Sequence, residues 1–236
     1  QGGIRSRAAR PDAWGPIASL GAARCVFATS LIRGTRMETI DIESAYLQEE
    51  WPAAAPPHYL RLPPDVLEHL PSELRPPRGM WEPVWPMQKC LYGHELSGRY
   101  FVDGLIKVLR GDGWVSSIGD PALMFHPATG CVAAVYVDDI VATGDAAGLK
   151  RLWNLMRSRY DGDMQEEETF RFLGMSVTRD ADEEERRLQI SMGDYTYMLI
   201  EAFREATGID PPRAETPASV DLRRDRATLS AAAPAA

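Results

Sequence analysis

Two adjacent carboxylates, Asp138 and Asp139, are the residues of this sequence best suited to chemistry. Apolar residues flank them on both sides, at 131–137 and 140–143. Carboxylates about 4 Å apart repel each other by about 1 kcal/mol in water, and by several times more at reduced dielectric. A bound cation removes that repulsion, and oxygen-only ligands favour Mg²⁺. The alternative is an ordinary hairpin turn, in which aspartate is common.

A third carboxylate, Asp41, lies near the end of a predicted strand at 37–42. The order strand, helix, hairpin, helix, strand predicts a β-α-β-β-α-β sheet, in which the first strand can lie beside the central hairpin. Asp41 would then approach Asp138 and Asp139. Three carboxylates there could hold two metal ions about 3.5–4 Å apart, the arrangement used for phosphoryl transfer. The alternative role for Asp41 is to cap the turn that follows its strand.

Helix and strand signals surround these carboxylates. Ser19 is a predicted N-cap and Gly34 a predicted end for a first helix, and Asp145 is a predicted N-cap for a helix at about 147–160. A capping box at 191–194 predicts a final helix that ends near Gly208. The remaining expected elements are a helix at 96–109, a hairpin with its two-residue tip at Asp138-Asp139, and a second hairpin pairing 170–177 with 188–190 across an acidic tip at 182–185.

The proline distribution divides the chain. Ten of the eighteen prolines fall between Pro52 and Pro86, which predicts a long, mostly irregular excursion over 51–86 with a short strand at 58–62. We expect 1–16 to be a flexible segment, 17–210 to form the folded domain and 211–236 to be a disordered tail. Because the chain starts with Gln, we expect it to be a fragment, a processed product or the product of a truncated gene.

Composition and charge narrow the class of protein. Over 236 residues, 44% are hydrophobic and 25% charged, as in ordinary globular proteins, and no apolar run approaches the ~18 residues that a membrane span needs. The net charge of −8 argues against a generic nucleic-acid binder, although an acidic average leaves room for a local basic groove. Three cysteines without metal-ligand spacing indicate reduced thiols in an intracellular protein.

Six sequence blocks in collinear order resemble the reverse transcriptase domain of copia-type LTR retrotransposons, over roughly residues 15–220. The blocks are METIDIESAYL at 37–47, LYG at 91–93 followed by Ser97 and Arg99, DP at 120–121, YVDD at 136–139, FLGM at 172–175 and TP at 216–217. The resemblance implies an α+β fold, a right-hand polymerase palm with a β-α-β-β-α-β core. It also implies that the fingers are truncated, with 1–16 as their remnant.

The resemblance also implies roles for individual residues. Asp41, Asp138 and Asp139 would be both the catalytic residues and the Mg²⁺ ligands. Nucleotide contacts are implied for Ile42, Ala45, Tyr46, Tyr92 and Gly93, with Tyr46 as the aromatic gate that excludes a ribose 2′-hydroxyl. Primer or template contacts are implied for Tyr136, Phe172, Leu173, Gly174 and Met175. The alternatives are a half-buried core aromatic for Tyr46, which is compatible with a gate, and a plain buried strand for Phe172 and Leu173.

The activity that the resemblance implies is RNA-directed DNA synthesis by attack of a primer 3′-hydroxyl on the α-phosphate of a deoxynucleoside triphosphate. It would use two Mg²⁺ ions, with Mn²⁺ as a substitute. Its partners would be an RNA or DNA template-primer and deoxynucleoside triphosphates, with no membrane involved. It would work inside the cell, in cytoplasmic particles or the nucleus.

Two departures from the family pattern lie in the segment after Gly93. Glu95 replaces a lysine and Gly98 replaces a proline, and a reversed charge near a nucleic-acid groove would weaken backbone binding. Together with the short finger segment, these departures favour an alternative: a catalytically inactive retrotransposon remnant that keeps the palm fold. A Mg²⁺-dependent nuclease or cyclase on a similar sheet is a third hypothesis, but it leaves Tyr46 unexplained.

Overall fold

The fold is of the α+β class, with helices packed against antiparallel sheets. The computed structural model describes residues 15–77, 79–165, 169–179 and 187–211. The strands described there are β1 (Arg36–Ile42), β2 (Tyr59–Leu60), β3 (Trp85–Pro86), β4 (Val115–Ser116), β5 (Leu123–Phe125), β6 (Val132–Tyr136), β7 (Asp139–Gly144), β8 (Gly162–Gln165), β9 (Thr169–Phe172), β10 (Met175–Arg179) and β11 (Leu188–Ser191). The helices are α1 (Leu20–Arg33), α2 (Ala45–Gln48), α3 (Pro64–Glu68), α4 (Ser97–Gly111), α5 (Ala146–Arg157) and α6 (Gly193–Thr207). The described chain divides into two compact units, with the boundary between Ser191 and Met192.

The largest sheet has six antiparallel strands in the order β4-β5-β6-β7-β1-β8. Its centre is the β6–β7 hairpin, whose successive residues are fully buried, including Ala134, Val135, Ile140 and Val141. Because neighbouring residues on a strand face opposite sides of a sheet, this burial means that both faces of the hairpin are covered. As predicted, β1 lies beside the hairpin, next to β7.

The helix ends show which sequence signals were sufficient. Ser19 Oγ accepts a hydrogen bond from the Ala22 amide, and Asp145 Oδ1 accepts one from the Gly148 amide at 2.6 Å, so both predicted N-caps are confirmed. Gly34 ends α1 in the left-handed conformation, with a φ of 65°.

The capping box predicted at 191–194 is wrong in one respect. The N-cap of α6 is Met192 and not Ser191, and it makes no side-chain capping hydrogen bond. Ser191 is instead the last residue of β11, paired with Ser176 of β10, so strand pairing has taken the residue that the local pattern assigned to the helix. The predicted helix end at Gly208 is confirmed, with a φ of 67°.

The second predicted hairpin is confirmed in part, since β10 pairs with β11 and Val177 lies opposite Ile190. Residues 170–177 do not form one strand, because Leu173 and Gly174 make a tight turn between β9 and β10. Strands β9, β10 and β11 form a separate sheet, and the large sheet is completed by β8, a strand that the sequence patterns did not predict. The acidic tip expected at 182–185 lies outside the described residues.

The excursion at 51–86 contains little regular structure, as expected. The predicted strand at 58–62 is reduced to β2, which pairs only with β3. Helix α3 and a 3-10 turn at Ser72–Leu74 are the other short elements there. The expectations for residues 1–14 and 212–236 fall outside the described residues.

One buried cluster joins helices α1, α4 and α5 to the large sheet. Its largest members include Phe27 of α1, Phe101 and Leu105 of α4, Leu152 and Trp153 of α5, and Ile40 of β1. This packing holds the large sheet against the helices, and β1, which carries Asp41, lies in that sheet between β7 and β8. Among the described residues, no helix combines the length and apolar character needed to cross a bilayer.

Gly162 provides a test of the pairing between β1 and β8. A Cβ atom at this position would lie 2.5 Å from the Asp41 carbonyl oxygen and 3.1 Å from the Ile42 Cα. Because both neighbours are backbone atoms, we expect Gly162→Ala to lower the free energy of unfolding by about 1–3 kcal/mol, measured by urea denaturation. Gly111→Ala is the matched control, since a Cβ there meets open space at the end of α4. Equal effects of the two substitutions would contradict this account of Gly162.

Candidate active site

The backbone brings the three predicted carboxylates to one end of the large sheet. Asp41 on β1 is the direct antiparallel partner of Asp139 on β7. The Ile42 amide donates a 3.1 Å hydrogen bond to the carbonyl oxygen of Asp138. Side chains of directly opposed residues lie on the same face of a sheet, with Cβ atoms about 4.5–5.5 Å apart. The predicted proximity of Asp41 to the hairpin is therefore present in the strand register.

The hairpin tip is displaced by one residue from the prediction. Tyr136 pairs with Asp139, so the two turn residues are Val137 and Asp138, while Asp139 begins β7. Val137 has a φ of 54°. Positive φ is unfavourable for a β-branched residue, whereas aspartate is common in turns, and the prediction rested on that preference. The buried pairing of β6 with β7 sets the register and imposes this backbone on Val137.

The proximity of the three carboxylates affects the protonation of Asp139. Burial, followed by the nearby charges of Asp138 and Asp41, raises the pKa of Asp139 to about 6. Asp138 and Asp139 are half-buried, whereas Asp41 is exposed. The three groups therefore form an acidic site whose like charges are not fully screened by water.

The donor chemistry of this site suits a hard divalent cation. All three side chains offer carboxylate oxygens, the ligands that Mg²⁺ prefers. In the described part of the chain, however, no three His, Cys, Asp or Glu side chains are gathered into a ready-made ligand cluster. Like charges repel in the absence of a cation, and a change of side-chain rotamer alone could gather carboxylates whose backbones already lie together. Metal binding by Asp41, Asp138 and Asp139 stays a prediction.

Tyr46 lies on the short helix α2, which follows β1. Its ring stacks on Tyr92, with centroids 4.6 Å apart, and is tilted against Phe101 at 5.9 Å. Burial raises the pKa of the Tyr46 phenol, and the Asp138 carboxylate raises it further. Tyr46 is thus half-buried between two rings and close to Asp138, an environment that suits both a core aromatic and a gate.

Gly98 is a site residue whose role the sequence did not reveal. A Cβ atom there would lie 2.9 Å from the Tyr46 hydroxyl oxygen. Because Tyr92 and Phe101 hold the ring, the hydroxyl has little freedom to move away. The packing of Tyr46 therefore gives a local structural reason for a glycine at position 98.

Two histidines support the segment that carries Tyr92 and Gly93. His58 Nδ1 and His94 Nε2 are 2.8 Å apart, within hydrogen-bond distance. Burial, and then the His58 ring, lower the pKa of His94. This pair joins the proline-rich excursion to the segment that follows Gly93. Gly93 itself has a φ of 83°. Neither histidine belongs to a motif, so spacing gave no signal for the contact.

The other predicted nucleotide contacts are less accessible. Ile42 is 1% exposed and Ala45 is fully buried. A contact from either residue to a nucleotide would have to use the backbone. Tyr136 is half-buried and stands opposite Asp139, next to the turn.

The predicted primer-contacting residues form the β9–β10 turn. Phe172 and Met175 are buried and pair with each other, while Leu173 and Gly174 have φ values of 53° and 72°. Positive φ at both central positions matches a type I′ hairpin turn. The alternative of a plain buried strand is therefore wrong for Leu173 and agrees with the burial of Phe172.

Contacts along α1 show in which direction this hairpin points. Arg179, at one end of β10, donates a 2.7 Å hydrogen bond to the carbonyl of Thr35, after the end of α1. Phe170, on β9, contacts Phe27 earlier in α1. Ahead of α1, the Ala18 amide donates to the Val135 carbonyl, close to Tyr136 and the turn. The hairpin thus runs back along α1 toward the end of the sheet that carries the carboxylates.

No protein-family model matches this chain, and no curated protein matches it.

The repulsion at Asp139 leads to a pH-dependent prediction. A carboxyl whose pKa is about 6 in the folded state and about 3.9 in the unfolded chain lowers stability as the pH rises through that interval. We therefore expect Asp139→Asn to be more stabilising, relative to wild type, at pH 8 than at pH 4.5, by about 1 kcal/mol after allowance for solvent screening. Urea denaturation at both pH values measures it. Asp65→Asn, at an exposed position of α3, is the control. The same difference at Asp65, or none at Asp139, would contradict the prediction.

Proposed function

We propose that this chain is the palm of an RNA-directed DNA polymerase that extends a primer 3′-hydroxyl with deoxynucleoside triphosphates. The observation that carries the proposal is the register of β1 on β7, which sets Asp41 opposite Asp139 and beside the turn that contains Asp138. The six sequence blocks resembling copia-type reverse transcriptases supply the reaction class. The Asp138 carboxylate acts on the Tyr46 phenol and raises its pKa, which supports a gate next to the acidic site; a nuclease or cyclase leaves Tyr46 unexplained.

In this mechanism Asp41, Asp138 and Asp139 would hold Mg²⁺, with Mn²⁺ as a substitute. The metal would lower the pKa of the attacking hydroxyl and neutralise charge on the leaving pyrophosphate. The protein's own part is to fix the backbones of Asp41 and Asp139 in paired strands and that of Asp138 in the adjoining turn, so that little rearrangement is needed during reaction. Template and primer would be held through their backbones, since copying must be independent of sequence.

The surrounding residues would select and position the substrates. The Tyr46 ring, held by Tyr92 and Phe101, would occupy the space of a ribose 2′-hydroxyl and so favour deoxynucleotides. The Leu173–Gly174 turn is directed toward the same end of the sheet, which supports a contact with the primer end.

Primer extension on a poly(rA)/oligo(dT) duplex with dTTP and Mg²⁺ tests the proposal. We expect Asp138→Asn to reduce extension at least about 100-fold, because it removes charge where the transition state needs it. Asp65→Asn makes the same chemical change at an exposed site of α3 and should leave extension within about twofold of wild type. Circular dichroism of each variant establishes that it is folded.

The absence of extension by folded wild-type protein, over a range of salt and Mg²⁺ or Mn²⁺ concentrations, would overturn the proposal. The inactive remnant with a palm fold would then be the better account. Glu95 and the net charge of −8 favour that alternative, because both oppose binding of a nucleic-acid backbone.

Sugar discrimination gives a second test at Tyr46. If the ring acts by bulk, Tyr46→Val should raise the relative use of UTP over dTTP by at least about tenfold, since the clash with the 2′-hydroxyl is relieved. Tyr46→Phe keeps the ring and should keep the discrimination. Competition between UTP and dTTP in the same extension assay measures both. Equal discrimination in the valine and phenylalanine variants would show that Tyr46 is only a packing residue.

A further inference from the structure

A polar cavity lies at the opposite end of β1 from Asp41. It has a volume of 340 Å³ and is lined by Arg36, Glu38, Lys150, Trp153, Asn154 and Arg157. Arg36 and Asp41 are five residues apart on one strand, which corresponds to about 16 Å. Small-molecule sites measure about 300–1,000 Å³, so the cavity can hold a small ligand or one part of a larger one.

The cavity walls belong to regular elements. Arg36 and Glu38 are two residues apart on β1 and therefore lie on the same face of the strand. Lys150, Asn154 and Arg157 follow one another on α5 at spacings of four and three residues, so they share one side of the helix. A strand face and a helix face thus define the cavity, since each of these lining residues lies on β1 or α5.

The floor of the cavity carries a fixed acceptor. Glu38 is 6% exposed and Trp153 is 2% exposed. The Trp153 indole N–H donates a hydrogen bond to the Glu38 carboxylate. This contact joins β1 to α5 and holds the carboxylate in place at the bottom of the cavity.

The rim carries three cations without partners. The side chains of Arg36, Lys150 and Arg157 are exposed and make no hydrogen bond or ion pair with any residue in the described ranges. Three positive groups therefore surround a cavity that contains one carboxylate. A ligand with negative charge would complete this arrangement, whereas a cationic ligand would add to the repulsion.

We propose that this cavity binds a phosphate ester whose organic part carries a hydroxyl or amino group. The planar guanidinium groups of Arg36 and Arg157 match phosphate oxygens in paired hydrogen bonds, and Lys150 adds a third positive charge. The Glu38 carboxylate would repel an anion at the floor, so the phosphate stays at the rim. The organic part reaches inward and donates a hydrogen bond to Glu38.

The phosphate can come from a small phosphorylated molecule or from a nucleic-acid backbone, whose sugar and base groups also supply donors. The site lies at the other end of β1 from the acidic residues, so its occupancy does not require polymerase activity. Binding measurements therefore test it separately from primer extension.

Isothermal titration calorimetry with the full chain tests the proposal, using inorganic phosphate, ribose 5-phosphate and a single-stranded DNA dodecamer at constant ionic strength. We expect Lys150→Gln and Arg157→Gln each to weaken binding of the preferred probe at least about fivefold, since each loses a charged hydrogen bond. Arg24→Gln, at an exposed position of α1, is the matched control and should change affinity less than about twofold.

The probes distinguish the two sources of phosphate. Tighter binding of ribose 5-phosphate than of inorganic phosphate, without a further gain for the dodecamer, identifies a small phosphate ester. Tighter binding of the dodecamer, lost in the same variants, identifies a nucleic-acid backbone. The proposal is overturned if none of the probes binds, if Arg24→Gln weakens binding as much as the rim variants, or if inorganic phosphate binds as tightly as either ester.

Discussion

The pairing of β1 with β7 is the constraint on which the candidate site depends. Ile40 opposite Ile140 and Thr39 opposite Val141 bury both faces of the sheet at this point. A shift of the register by one residue would exchange the side chains that face the two buried sides and break the packing on each, so the register is strongly specified. Asp41 comes one residue after Ile40, and its position opposite Asp139 follows from the buried pairs. Core packing therefore determines where the carboxylates stand.

The same strand separates charge along its length. Near the end of β1, Asp41 lies by the half-buried carboxylates of Asp138 and Asp139. The first residue of β1, Arg36, lines a cavity whose rim carries positively charged side chains. The net charge of −8 conceals this division, because a sum over the chain carries no spatial information. A nucleic acid or phosphorylated ligand would experience local fields of opposite sign at the two ends, which are about 16 Å apart along β1.

The sequence predicted the helix ends correctly where a helix end depends on one residue and its immediate neighbours. The caps at Ser19, Gly34 and Asp145 need only the hydrogen-bonding groups or backbone freedom of one residue, and all three are confirmed. Strand β8 was missed because four residues starting with a glycine give little periodicity, and its place is set by close approach to the β1 backbone. The contact of Gly98 with Tyr46 was missed for a related reason: it depends on the meeting of two distant segments.

A few non-glycine residues adopt the left-handed backbone conformation, and they lie within the sequence blocks described above. Among the described residues, the non-glycine residues with positive φ are Ser44, Val137 and Leu173, with φ values of 48°, 54° and 53°. They fall in three different blocks of the resemblance, at 37–47, 136–139 and 172–175. Such a conformation costs about 1–3 kcal/mol per residue, and a fold keeps it only where the surroundings impose it. Ser44 comes three residues after Asp41, and Val137 comes directly before Asp138. These two strained residues therefore lie in the turns next to the carboxylates at the end of the sheet. A sequence selected for stability alone would place glycine or asparagine at these turns, so the β-branched residue at 137 is a local cost that the buried pairing of β6 with β7 outweighs.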